Sequence, residues 1–158
     1  MVARAYTVAF EGVEARMVEV QCSVTTGSSA FNLVGLPDKA VSEARERVRA
    51  ALSALSIALP SRRITVNLSP ADLPKEGSHF DLPIALALLA ELEIIPKDEV
   101  EHTVAMGELS LDGRLMPVVA PCPPPWPRPR KTARSSAPAP AAPRPPGSAQ
   151  PKCWPPNR

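Results

Sequence analysis

The chain has 158 residues and a formal net charge of +2 at pH 7, enough sequence for one domain or for one domain with an appendage. Its longest strongly apolar stretch, residues 82–90, is far shorter than the roughly 20 residues that a membrane-spanning helix needs. Charged residues interrupt the N-terminal region, so the continuous apolar segment of a signal peptide is not present there. We therefore expect a cytoplasmic protein with no membrane partner.

Charge and composition divide the chain into two parts. Residues 1–119 hold 11 basic and all 16 acidic residues, a net charge of −5, whereas residues 120–158 hold seven basic residues, no acidic residue and 14 of the 21 prolines. After Val119 there is no Val, Ile, Leu, Met, Phe or Tyr. Such a segment cannot bury enough apolar surface to offset the entropy lost on ordering. We expect a folded domain over 1–119 and a disordered basic tail over 120–158.

The first third of the chain has the pattern of β-structure. Strands are predicted at residues 6–10, 16–22 and 31–34, and the second of them alternates polar and apolar residues with period two. Turn sequences lie between them, at Glu11-Gly12 and around Gly27. Three strands at this spacing predict a meander.

The apolar spacing then changes to three and four residues, which predicts a helix from about Asp38 to Ile57. Pro37 suits its first turn, and Pro60 is expected to end it. Glu43 and Arg47, four residues apart, are assigned to the solvent-facing side. The apolar face comprises Val41, Ala44, Val48, Ala51, Leu52 and Leu55.

The second half predicts a strand at 63–68, a loop at 69–77 and a second helix at about 82–92. We expect Asp81 to be the N-cap of that helix, because Pro83 then lies in the first turn, where no intrahelical hydrogen bond is lost.

Three more short strands are predicted at 103–106, 109–111 and 114–118, the last two joined by the hairpin sequence Asp112-Gly113. The fold class predicted for residues 1–119 is α+β, a mixed sheet with two packed helices.

Cysteine and histidine spacing does not predict a metal site. The three cysteines are odd in number, widely spaced and without a CxxC pair, so neither a disulfide framework nor a zinc site is indicated: they are Cys22, Cys122 and Cys153. His79 and His102 have no Cys or His at ligand spacing, and we expect structural or exposed roles for them. The acidic stretch at 97–101 is more typical of a solvated loop than of a calcium or magnesium site.

The loop at 74–81 holds the densest group of reactive side chains, including Ser78, His79 and Asp81. A hydrolytic triad needs a histidine that reaches both the nucleophile and the carboxylate. Near neighbours on one loop seldom converge in that way, and no GxSxG is present. We expect a polar loop, and a serine hydrolase using Ser78 is kept as the second alternative.

A Ser/Lys dyad requires a desolvated lysine. Lys75 lies beside Glu76 and Lys97 lies in an acidic stretch, so both are expected to be protonated surface lysines. No GxxxxGK[ST] or GxGxxG motif is present. We therefore predict no catalytic, cofactor-binding or metal-binding residue.

Two regions of the chain carry clustered basic residues, which nucleic acid could contact. The domain's net charge of −5 opposes polyanion binding, so a solvated face is expected for Arg45, Arg49, Arg62 and Arg63. The tail would bind nucleic acid weakly and with strong salt dependence, and its segment 123–130 also has the composition of a polyproline II ligand. A small interaction module acting through this tail is the first alternative function.

Several ordered motifs carry a family resemblance that covers residues 1–119. They are Val34-Gly35-Leu36-Pro37-Asp38, Glu43-Ala44-Arg45-Glu46-Arg47-Val48, residues 64–72, Lys75-Glu76-Gly77-Ser78, Asp81-Leu82-Pro83-Ile84-Ala85 and residues 107–114. Together they resemble the N-terminal domain of the ComM/YifB family of magnesium-chelatase-like AAA+ ATPases.

That resemblance implies a fold similar to the proteolytic domain of Lon. The equivalent of the Lon nucleophile falls at about His79 and that of its lysine at about Cys122, while Ser78 is one place short. Neither dyad partner matches, so the resemblance implies a protease-like fold without protease chemistry.

Full-length family members resemble hexameric, DNA-associated ATPases that use ATP and Mg²⁺, and the competence-linked ones promote branch migration during natural transformation. The resemblance therefore implies a homo-hexamer and DNA as partners through the ATPase module, and no cofactor in this chain. The family pattern stops after Val119, and the sequence becomes rich in Pro, Ala, Arg and Ser. GC-rich codons that are read out of frame yield this composition. We expect a family member truncated or frameshifted after about Val119, the rival being a genuine proline-rich extension.

Overall fold

A computed structural model describes residues 2–12 and 14–118. The predicted tail, with Cys122, Cys153 and the segment 123–130, lies outside the described residues. Within those residues, no helix combines the length and apolar character needed to cross a membrane. The elements are β1 (Ala3–Glu11), β2 (Glu14–Thr25), β3 (Ala30–Val34), α1 (Lys39–Ala54), β4 (Arg63–Ser69), α2 (Asp81–Glu91), α3 (Lys97–Glu101), β5 (Glu108–Leu109) and β6 (Leu115–Met116).

The main sheet has the strand order β1-β2-β4-β3. Strands β1 and β2 form an antiparallel hairpin, β2 pairs antiparallel with β4, and β3 pairs parallel with β4. The predicted meander is therefore wrong in its third strand. A parallel pair needs a crossover connection, and α1 supplies it between β3 and β4. The predicted fold class, α+β with a mixed sheet, is confirmed.

One face of this sheet and the apolar faces of two helices form the core. Helix α2 packs against β1 and β2, while α1 packs against α2 and β3. Alternate residues of the strands point into this layer, as period-two strands require. The fully buried sheet residues include Ala3, Val18, Val20, Cys22, Val66 and Leu68.

Helix α1 begins where the sequence predicts and ends earlier. Asp38 is its N-cap, with its Oδ1 accepting a 2.6 Å hydrogen bond from the backbone N–H of Val41, so Pro37 precedes the cap and does not lie in the first turn. The helix ends at Ala54 because Ser56 takes a left-handed conformation, φ +60°. The backbone N–H groups of Ser56 and Ile57 then return to the carbonyls of Ser53 and Leu52, which is a Schellman motif.

Helix α2 starts one residue before the predicted position. A short 3-10 turn at Ser78–Phe80 leads into it, and Asp81 is its first residue and not its N-cap. Pro83 therefore lies at the third helical position, which still has no intrahelical hydrogen bond to lose. The acidic stretch predicted as a loop forms the short helix α3. The predicted strand 103–106 is reduced to a single bridge between Tyr6 and Val104.

The hairpin predicted from Asp112-Gly113 is present with shorter strands. Its two strands pair antiparallel, Glu108 with Met116 and Leu109 with Leu115, and they form a separate two-stranded sheet. Gly113 has φ +84°, a conformation that glycine adopts at little cost.

Gly35 is a position where the fold has no room for a side chain. It follows β3 with φ +106°, and a Cβ atom there would lie 2.1 Å from the carbonyl oxygen of Leu68 in β4. The chain therefore passes from β3 towards α1 directly against the backbone of the neighbouring strand.

Candidate functional site

The reactive loop at 70–81 joins β4 to α2, and backbone hydrogen bonds hold it against the segment that precedes α1. The N–H of Asp38 donates to the carbonyl of Lys75 at 3.0 Å, and the N–H of Lys75 donates to the carbonyl of Leu36. The N–H of Gly77 donates to Asp38 Oδ2 at 3.4 Å. Asp38 therefore caps α1 and also anchors the loop.

Lys75 is buried, with no exposed surface, which corrects the prediction of a surface lysine. Its Nζ donates to the carbonyl oxygen of Pro70 within the same loop. Burial lowers the pKa of Lys75, and nearby Asp72 opposes that change. Among the described residues no hydrogen bond joins Lys75 to Ser78, so this lysine is not paired with the serine as a dyad would require.

Ser78 and His79 are adjacent in sequence and have different partners. Ser78 Oγ donates to Glu108 Oε2 of β5 at 2.5 Å. His79 is buried between Phe10 and Phe80, and its Nε2 lies 2.8 Å from the carbonyl oxygen of Val8. Since a carbonyl only accepts, we assign a proton to Nε2, which donates to Val8. Of the two roles expected for His79, structural or exposed, the structure shows the buried, structural one.

Asp81 is fully buried and is bound by Arg47 of α1. Arg47 Nε and Nη2 contact the two carboxylate oxygens at 2.6 and 3.0 Å, and Nη2 also donates to the carbonyl of Ala40 at 2.9 Å. The backbone N–H of Leu109 donates to Asp81 Oδ2 at 3.1 Å. The hydrogen bond with Asp81 raises the pKa of Arg47, in spite of partial burial.

This arrangement overturns two predictions made from the sequence. Asp81 does not cap its helix, and Arg47 does not face solvent with Glu43, although the predicted contact between them exists at 3.8 Å. The spacing held a signal for Arg47, because it lies three residues after Ala44 and four before Ala51, on the border of the apolar face. No local pattern indicated Asp81 or Glu108 as partners.

Ser78, His79 and Asp81 therefore do not come together as a hydrolytic triad. Ser78 is directed to Glu108, His79 to Val8 and Asp81 to Arg47. A triad requires the imidazole to accept the serine proton while the carboxylate orients it, and here each group has another partner. Of the two positions equivalent to the Lon dyad, His79 is buried, while Cys122 lies outside the described residues.

Cys22 and Lys97, two further residues discussed in the sequence analysis, are held in place by the fold. Burial raises the pKa of the Cys22 thiol to about 12, with Glu91 adding to the effect, so the thiol is neutral and inert at physiological pH. Lys97 is not a freely solvated lysine, since its Nζ lies 3.0 Å from Glu91 Oε2. No group of three His, Cys, Asp or Glu side chains that could hold a metal ion occurs within residues 2–12 and 14–118.

The four arginines considered as a basic patch separate into different environments. Arg45 pairs with Glu46 at 3.0 Å. Arg49 and Arg62 line one cleft, near the end of α1, and Arg63 is exposed at the start of β4.

A family model described as subunit ChlI of Mg-chelatase matches residues 18–123. The chain is also 46% identical over 110 residues to the competence protein ComM of Haemophilus influenzae and 44% identical over 110 residues to the uncharacterized protein YifB of Escherichia coli K12. An uncharacterized protein of Mycobacterium tuberculosis H37Rv is 45% identical over 115 residues.

These matches cover most of this chain and a minor part of each relative. The alignments include 70% of the chain for ComM and YifB and 73% for the mycobacterial protein. They cover 22%, 22% and 23% of those relatives, so the chain corresponds to less than a quarter of their length.

Proposed function

Because the chain belongs to the family of Mg-chelatase subunit ChlI, together with the ComM and YifB proteins that it resembles, we propose that residues 1–119 act as a non-catalytic N-terminal domain of a ComM-like AAA+ ATPase. Alone, this domain neither hydrolyses ATP nor cleaves peptides. In a full-length protein it contributes to assembly or to the handling of partners and DNA.

The observation that supports this proposal is the set of hydrogen bonds that the side chains of the reactive loop form. Ser78, His79 and Asp81 each bind a different group of the fold, and Lys75 is buried against Pro70. Hydrogen bonds of this kind hold α1, α2 and β5 together. They use the side chains that catalysis would need in a free and mutually aligned state.

We propose that full-length proteins of this kind form a homo-hexamer, use ATP and Mg²⁺, and bind DNA. The cytoplasmic location is proposed on the same basis. In this proposal none of the described residues holds nucleotide or metal, and the domain performs no chemistry of its own.

We further propose that the sequence after Val119 is out of frame. The family model matches up to residue 123, close to the point where apolar residues other than Ala, Cys and Trp disappear. Translation of the gene downstream of codon 119 in all three frames tests this. We expect one frame to restore a sequence that contains apolar and acidic residues and leads to GxxxxGK[ST]. The absence of such an open frame among the three would contradict the proposal.

The test of the non-catalytic role is an activity assay with the purified full chain. We expect no ATP turnover above that of a mock purification and no labelling by a fluorophosphonate probe. Labelling of the wild-type chain that is lost in Ser78→Ala would establish the serine hydrolase alternative, and ATP turnover that persists through further purification would contradict the proposal directly.

A second candidate function rests on the tail's seven basic residues and lack of acidic ones. In that case residues 120–158 bind nucleic acid or a proline-recognising partner and the domain serves as their carrier. Comparing DNA binding by the full chain and by residues 1–119 at two salt concentrations separates the candidates. Salt-sensitive DNA binding by the full chain, but not by residues 1–119, supports a binding role for the tail. Equally negligible binding by both would contradict that role.

A further inference from the structure

A cleft of about 270 Å³ opens at one end of the β3–α1–β4 unit, where α1 ends and β3 and β4 begin. It lies away from the reactive loop and shares none of that loop's residues. Two arginines, Arg49 and Arg62, and three serines, Ser29, Ser53 and Ser61, contribute the polar side chains of its lining.

The charge of this cleft differs from that of the domain. No acidic residue lines it, although residues 1–119 carry a net charge of −5. On the same helix, Arg45 pairs with Glu46 and Arg47 with Asp81. Across the part of the chain that the structure describes, no ion pair joins Arg49 or Arg62 to a carboxylate. Their charges are therefore available to an external anion.

The chemistry of the lining is that of a phosphate receptor. Guanidinium groups donate paired hydrogen bonds to phosphate oxygens, and serine hydroxyls add further donors. Apolar residues, Ile57, Leu59 and Ile64, complete the lining, and they lower the local polarity and so strengthen charged hydrogen bonds.

The size and the global charge favour one small phosphate group over an extended polyanion. The volume lies just below the roughly 300–1,000 Å³ typical of small-molecule sites, and the negative domain repels a long anionic strand. The C-terminal dipole of α1 also opposes an anion. It is weakened here because the carbonyls of Leu52 and Ser53 already accept hydrogen bonds from Ile57 and Ser56.

We propose that the Arg49/Arg62 cleft binds a phosphate group. The source that size and charge favour is a free or nucleotide-borne phosphate, and the experiment below separates it from a phosphate of a nucleic-acid strand. The inference goes beyond the proposed function and does not depend on it.

The test is a titration of the ¹⁵N-labelled full chain, followed by NMR, with pyrophosphate at constant ionic strength. We expect saturable shifts of the backbone amides of Arg49, Ser53, Ser61 and Arg62. In the double variant Arg49→Gln/Arg62→Gln the apparent affinity falls at least about tenfold, because two charged hydrogen-bond donors are lost. Arg45→Gln, one turn earlier on α1, is the matched control and retains binding.

A parallel titration with a single-stranded oligonucleotide identifies the source. A response to pyrophosphate alone is the expected result, while shifts of the same amides with the oligonucleotide would assign a nucleic-acid phosphate and overturn the small-phosphate source. Absence of saturable shifts at the cleft with either probe, shifts confined to 120–158, or an equal response in the double variant would overturn the proposal. Overlay of the unliganded spectra shows that each variant is folded.

Discussion

The guanidinium of Arg47 donates two hydrogen bonds, 2.6 and 3.0 Å long, to the carboxylate of Asp81, which lies 34 residues later in the sequence. Asp81 is fully buried, and it also accepts the backbone N–H of Leu109. One carboxylate therefore joins α1, α2 and the β5–β6 hairpin. A buried charge left without its partner is strongly destabilising, so we expect the fold to be sensitive to the loss of either member of this pair.

Replacing Asp81 by Asn should lower the free energy of unfolding by about 3 kcal/mol, because Arg47 then loses a buried charged partner. Urea denaturation of the full chain measures the change. Glu43→Gln is the matched control, since Glu43 is exposed and only 3.8 Å from the same arginine, and it should cost less than about 0.5 kcal/mol. Equal effects of the two variants would show that the Arg47–Asp81 pair does not hold the elements together.

Gly35→Ala should be among the most damaging single substitutions in the domain. A Cβ atom would lie 2.1 Å from the Leu68 carbonyl oxygen, so β3 and β4 must separate, at a cost of at least about 3 kcal/mol. Gly12→Ala tests conformation alone, because Gly12 has φ +63° and nothing within 4 Å of its Cβ position; it should cost about 1 kcal/mol. Similar losses in the two variants would contradict the close contact.

Ser56→Gly should stabilise the protein. Ser56 occupies the left-handed position of the Schellman motif that ends α1, with φ +60°, where glycine avoids a steric cost of about 1–2 kcal/mol. After the larger backbone entropy of glycine is subtracted, we expect a gain of about 0.5 kcal/mol, measured as a shift of the urea midpoint. Ala50→Gly, inside α1, should instead cost about 1 kcal/mol. A loss of stability in Ser56→Gly would refute the assigned helix end.

The Cys22 thiol predicts how stability depends on alkaline pH. Burial raises its pKa to about 12 from an ordinary value of 9.0, so the unfolded chain releases this proton first and high pH favours unfolding. This contribution is fully present below pH 9.0 and is lost progressively towards pH 12. Between pH 9.0 and 10.5 the wild-type chain should lose roughly 1.5 kcal/mol more than Cys22→Ala.

The same thiol should resist alkylation in the folded protein. With Cys122→Ser and Cys153→Ser as background, Cys22 is the sole cysteine, and its reaction with iodoacetamide at pH 8.5 should be slow until urea unfolds the chain. Fast alkylation without urea, or parallel pH curves for the wild type and Cys22→Ala, would place Cys22 outside the core.

The local elements of this fold could be predicted because their causes are local. Period-two alternation located β2, and the spacing of apolar residues located α1, with Asp38 at its start. Asp112-Gly113 marked the hairpin. The end of α1 was missed because the left-handed position holds Ser56 and not glycine, which removes the usual stop signal.

Pairings between distant residues were not predictable in the same way. Strand β3 resembles a third meander strand, and only the crossover through α1 places it beside β4. Arg47 lies at the border of an apolar face and Asp81 at a predicted helix start, and neither position indicates the other as its partner. Their ion pair forms when α1 packs on α2. The sequence places Lys75 beside Glu76, which favours a solvated lysine, yet the loop places its Nζ against Pro70 in the interior. In each case the tertiary contact outweighs the local preference.

The measurement that tests the central claim most directly is a domain exchange in the Haemophilus influenzae competence protein ComM. Its matching segment is replaced by residues 1–119 of this chain, as wild type or as Ser78→Ala, and natural transformation is measured against a strain that lacks the segment. A non-catalytic N-terminal domain predicts that both chimaeras restore transformation equally. The account is contradicted if Ser78→Ala alone abolishes it, or if neither chimaera restores it while both accumulate as folded protein.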